Sequence, residues 1–102
     1  MYDIYIGKPE KEIYERLYSF PYEKHKDFFE FIDKNNLKDV KMLNEIRDVN
    51  EFVNFSISET LVIKKGLEII NQMTNMAFSI SLEKACIKAV EKNLDLICTG
   101  GD

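Results

Sequence analysis

A chain of 102 residues has room for one domain, and a domain of that size buries roughly two-thirds of its unfolded surface. With 45% apolar residues, including seven Phe, it can offset the entropy of ordering; four Gly and two Pro are few for a many-stranded sandwich or barrel. Eighteen acids against fourteen bases give a net charge of −4, which repels phosphate backbones and anionic membranes and permits a basic protein partner.

In chain order, Tyr2, Ile4 and Ile6 alternate with Asp3 and Tyr5, the pattern of a short strand ended by Gly7. Pro9 suits the first turn of a helix, and Ile13, Tyr14, Leu17 and Tyr18 then repeat as one buried helical stripe. Pro21 interrupts it, because the ring disfavours helical backbone at Phe20. A second helix is predicted over Tyr22–Asn35, burying Phe28, Phe29 and Ile32. Leu37, Val40, Leu43 and Ile46 step by three, which drifts around a 3.6-residue helix, and a break is expected near Arg47.

Asp48 followed by Glu51 has the spacing of a capping box, which predicts a short helix with Val49, Phe52 and Val53 inward. A strand competes there, because Val53, Phe55 and Ile57 alternate with Asn54 and Ser56. Ser58 is a suitable N-cap for the most apolar helix, Glu59 to about Met76. Its expected core stripe is Leu61, Val62, Ile69, Ile70, Met73 and Met76, widened by Ile63 and Leu67, with Gly66 admitting a close neighbour. Ser81 then caps a last helix to about Asn93, with Leu82, Ala85, Cys86, Ala89 and Val90 inward. Leu94, Leu96 and Ile97 extend that packing or form a terminal strand, and a flexible tail is expected from about Thr99.

These elements make a mostly α protein, an irregular antiparallel helical bundle of about five to six helices in a single domain over 1–102, with a short N-terminal strand. The alternative is an α+β fold. Cys86 and Cys98 lack the spacing of a redox pair or zinc site; Cys86 reads as a core residue and Cys98 as partly exposed. No signal peptide or membrane span is legible, so the cytoplasm is the expected compartment.

Recognised catalytic and metal motifs are lacking, so no enzyme activity and no cofactor or metal is expected; the lone His25 is the one candidate for a small enzyme. Glu23, Asp27, Glu30 and Asp33 recur along the second helix as an acidic ridge. The first third also carries Tyr2, Tyr5, Tyr14, Tyr18 and Tyr22, a residue type enriched at interfaces. Tyr14 and Tyr18 share the apolar stripe, whereas Tyr2, Tyr5 and Tyr22 are freer to face a partner. Tyr18, Tyr22 and the four acids are therefore the candidate partner-binding residues.

A short acidic chain with Tyr and carboxylates near its start resembles, in overall character, the immunity proteins of bacterial toxin systems, including contact-dependent growth inhibition. That resemblance implies a monomeric or dimeric binder that occludes a cognate toxin, often a basic nuclease. Alternatives are a phage-encoded inhibitor such as an anti-CRISPR, a small enzyme using His25, and a structural subunit held by the Leu61–Met76 helix.

Overall fold

The computed structural model describes residues 1–37 and 40–100. It corrects the helical-bundle expectation: a four-stranded antiparallel sheet is packed with three long helices, an α+β fold. The strands are β1 (Tyr2–Lys8), β2 (Ile13–Phe20), β3 (Phe52–Phe55) and β4 (Asp95–Gly100), in the order β2-β1-β4-β3. Helix α1 (Tyr22–Lys34) joins β2 towards β3, and α2 (Ile57–Met73) with α3 (Ala77–Lys92) joins β3 to β4. No helix among the described residues is long and apolar enough to cross a membrane.

The predicted first helix is instead β2. Pro9–Lys11 form a single 3-10 turn, and Glu12, in the left-handed conformation at φ 56°, donates its N–H to the Pro9 carbonyl at 3.0 Å. That closes a four-residue loop, so β2 turns back along β1 with Lys8 opposite Ile13. The register then slips between Ile4 and Tyr5, leaving Leu17 as an extra residue in β2. The bulge reverses the parity of the strand. Ile13 and Glu15 before it, and Tyr18 and Phe20 after it, face the same side, which is why the apolar spacing imitates a helix.

Paired residues share a face, so the register sorts the sheet. Tyr2, Ile4, Ile6, Phe20, Val53, Phe55, Leu96 and Cys98 face the helices and belong to or pack on the core. Asp3, Tyr5, Tyr14, Arg16, Phe52, Asn54 and Ile97 lie on the opposite face. Leaving one face of an antiparallel sheet without a helical layer is ordinary.

Phe78, at the start of α3, joins the layers. Its ring lies 5.9 Å from Tyr2, 5.3 Å from Phe20, 5.8 Å from His25 and 5.1 Å from Phe28. Tyr2, expected to face a partner, is thus fully buried. Cys98, expected to be partly exposed, is buried in β4. Thr99 and Gly100, assigned to the tail, complete that strand beside Asp3 and Tyr2; Gly101 and Asp102 lie outside the described residues.

Three further boundaries moved for local reasons. The step of three at Leu43 and Ile46 matches a 3-10 segment, Lys41–Ile46, whose three-residue turn aligns both side chains inward. Asp48 caps a turn and not a helix, accepting from the Asn50 N–H at 2.9 Å, and the competing strand at Phe52–Phe55 forms. Helix α2 starts two residues early, at Ile57, because Ser56 and Glu59 make the capping box, and α3 starts at Ala77, with Ser81 inside it. In α2 the buried row is Thr60, Ile63, Gly66, Leu67 and Ile70, whereas Leu61, Val62, Ile69 and Met73 of the expected stripe are exposed.

Because Phe78 is the contact common to β1, β2, α1 and α3, Phe78→Ala should cost about 3–5 kcal/mol in urea unfolding. The exposed Phe52→Ala should cost under about 1 kcal/mol in the same measurement.

Candidate functional site

The buried reactive groups are sealed away from solvent. Burial pushes the Cys86 thiol up to about 12, with the Glu83 charge adding to it, and drives the fully buried Cys98 thiol higher still. Both cysteines are free. Neither presents the accessible thiolate that nucleophilic chemistry or metal ligation needs.

His25 is a structural tie in α1. Its Nε2 lies 2.7 Å from the Ile46 carbonyl, and a carbonyl only accepts, so this nitrogen carries the proton. Tyr2 donates its hydroxyl to the same oxygen at 3.4 Å, which pins the 3-10 segment between α1 and β1. The imidazole is packed against Tyr2 at 4.4 Å and Phe29 at 4.9 Å between ring centroids. Burial lowers its pKa; the Ile46 bond opposes that shift and the Arg47 charge adds to it. This arrangement favours the neutral, packed form rather than an accessible acid–base group.

The predicted partner-binding residues are spread over two environments. Glu23, Asp27, Glu30 and Asp33 are exposed on α1, with Tyr22 at its start. Their ridge is interleaved with cations. Lys26 approaches Glu30 at 3.8 Å, and Arg47 grips Asp33 with two 3.0 Å bonds while lying 4.6 Å over the Phe29 ring. Tyr18 lies apart from this ridge, on the helix-facing side of β2, partly buried against the core beside Phe20.

A second acidic surface was missed. An open cleft of about 550 Å³ runs beside β3, lined by Glu45, Asp48, Glu51 and Glu59 with Phe52 and Asn54. Among the described residues no Lys or Arg lines it. The nearest base in sequence, Arg47, is bonded away to Asp33 and Asn44. Phe52 is 54% exposed at this cleft, and β3 is an edge strand, paired on one side only, with β4. Among the described residues no three carboxylate, His or Cys groups converge to hold a metal, so the cleft is a dispersed field rather than a coordination site.

Sequence held part of this signal. Glu45, Asp48 and Glu51 recur every third residue, but that spacing was absorbed by the expected capping box. Glu59 arrives only through folding, when its carboxylate turns back to accept the Ser56 N–H at 2.8 Å.

Two measurements check the sealed groups. Cys86 and Cys98 should resist a thiol reagent in the native protein and both react once it is unfolded. His25 titrates below its unfolded value, so the folded state binds its proton less readily. Its contribution to stability is full above pH 6.5 and declines as pH falls through that value. In thermal melts between about pH 5 and 7, His25→Asn should be less stable overall but should lose that part of the pH slope.

Compared with family models, with curated proteins and with solved structures, the chain matches none.

Proposed function

We propose that this chain is a protein-binding module for a basic partner, docking at the acidic cleft beside β3. One observation carries the reading: four carboxylates and an exposed Phe surround the open edge of a strand, with no cation among them in the described residues. Each part has a separate physical role. The uncompensated charge steers a basic surface and raises its association rate. Phe52 supplies the apolar anchor that charge alone does not. The free edge of Phe52–Phe55 offers backbone groups to an extended segment, so a basic strand fits the cleft better than a basic helix.

In its most specific form the module is an immunity protein that occludes a cognate toxin, as the acidic character of the chain suggests. The acidic face of α1 then widens the field without forming the anchor, because Lys26 and Arg47 already compensate two of its acids.

The test is titration calorimetry against the product of the adjoining gene at low salt. Binding should weaken steeply as salt rises, and E45K/D48K/E51K should weaken it at least about tenfold. Phe52→Ala should raise the off-rate, whereas E23K/D27K/E30K on α1 should act mainly on the on-rate. No binding at low salt would remove the immunity role. Binding indifferent to the cleft substitutions would remove the cleft.

A further inference from the structure

The Lys41–Ile46 segment has neither a strand ladder nor a long helix to hold it. It is a six-residue 3-10 run, a form with poorer hydrogen-bond geometry than an α-helix. Leu43 and Ile46 are its buried side chains. At its last residue the Ile46 carbonyl accepts from His25 Nε2 at 2.7 Å and from the Tyr2 hydroxyl at 3.4 Å. The other walls around the imidazole are firmer. Strand β1 is paired on both sides, and α1 and α3 are helices of 13 and 16 residues. The 3-10 segment is therefore the wall that opens at least cost.

His25 is the group in this contact whose ordinary titration lies near neutral pH. Facing its ring are Tyr2 from β1, the Ile46 carbonyl and Arg47 from the 3-10 end, Phe29 of its own helix and Phe78 of α3. Burial keeps the Tyr2 hydroxyl neutral, Arg47 is a cation, and among the described residues no carboxylate pairs with the imidazole. Protonation would create a second N–H donor, at Nδ1, inside this aromatic cage. It would also bring a second cation to Phe29, whose ring already carries Arg47 at 4.6 Å from its centroid. Lifting the segment off Nε2 opens the ring to water and relieves both costs.

We infer that His25 is a pH-sensitive latch: neutral, it holds the Lys41–Ile46 segment against α1 and β1, and protonated, it releases that segment while the sheet stays folded. The segment carries Asn44 and Glu45 of the β3 cleft, so release dismantles one side of that surface. This consequence rests on the binding reading above, whereas the latch is a property of the free chain.

Amide hydrogen exchange of the free chain, read by NMR as protection factors at pH 7.5 and pH 5, tests the latch without a partner. The reporters are Leu43 and Arg47, whose amides donate at 2.9 and 3.2 Å within the segment and at its end. Both should be at least about 100-fold less protected than Ile4, Ile6 and Leu96 at pH 5, because the segment opens while the sheet is closed. With the released ring titrating at its ordinary 6.5, acidification should lower their protection about 10- to 30-fold. His25→Gln donates to the same carbonyl but does not titrate, so it should stay folded by circular dichroism and lose that dependence. Tyr2→Phe keeps the titrating ring and should retain it, with opening raised at both pH values. Equal protection of the segment and the central strands at pH 5 overturns the proposal. So does a change under about threefold on acidification, a dependence that persists in His25→Gln, or one that vanishes in Tyr2→Phe.

Discussion

The structure depends on covering one face of a four-stranded sheet, and the aromatic cluster around Phe78 is where that cover is joined. Phe78 on α3 meets Tyr2 of β1, Phe20 of β2 and both His25 and Phe28 of α1. Large rings suit this position because each buries much apolar area and meets its neighbours at tilted or edge-on angles. Polar atoms carried into the cluster must be satisfied, and the Ile46 carbonyl does this by accepting from His25 and Tyr2 together. One oxygen thus holds α1, β1 and the 3-10 segment in register. The tight approach of backbones extends to the sheet rim, where a Cβ on Gly100 would stand 2.0 Å from the Val49 carbonyl.

Once the core is closed in this way, the surface divides by chemistry. His25, Cys86 and Cys98, the groups most able to do covalent or proton-transfer work, are consumed by packing. Carboxylates collect beside β3 while Arg47 is drawn to Asp33 and the Phe29 ring, so that among the described residues no cation lines the cleft of Glu45, Asp48 and Glu51. Apolar side chains collect on α2 because the sheet and α3 need only one side of that helix. The first of these surfaces combines charge with a strand edge, and the second is apolar.

Much of the core was legible because it lay in regular stretches. Tyr2–Ile6 alternates cleanly, and Phe28, Phe29 and Ile32 hold one side of α1. Other parts were hidden by competition between periods. The extra Leu17 in β2 converts an alternating strand into a sequence that imitates a helix, since a bulge changes the face of every later residue. The helix α2 is apolar on most of its circumference, so periodicity could not say which side faces inward; of the expected residues Ile63, Leu67 and Ile70 are buried, whereas Leu61, Val62, Ile69 and Met73 are not. Long-range placement of Glu59 beside Glu45 and Asp48 had no local signal. The acidity of the chain was legible, while the place where carboxylates collect beside β3 required the fold.

The claim that the β3 cleft is the docking surface is tested most directly by amide hydrogen exchange, comparing the chain free and bound to the adjoining gene's product. The account predicts new protection at Phe52–Phe55 and along Asn44–Glu51, with the central strands β1 and β4 unchanged. Protection confined to α1 over Tyr22–Lys34, with Asn44–Phe55 exchanging as in the free chain, would contradict it.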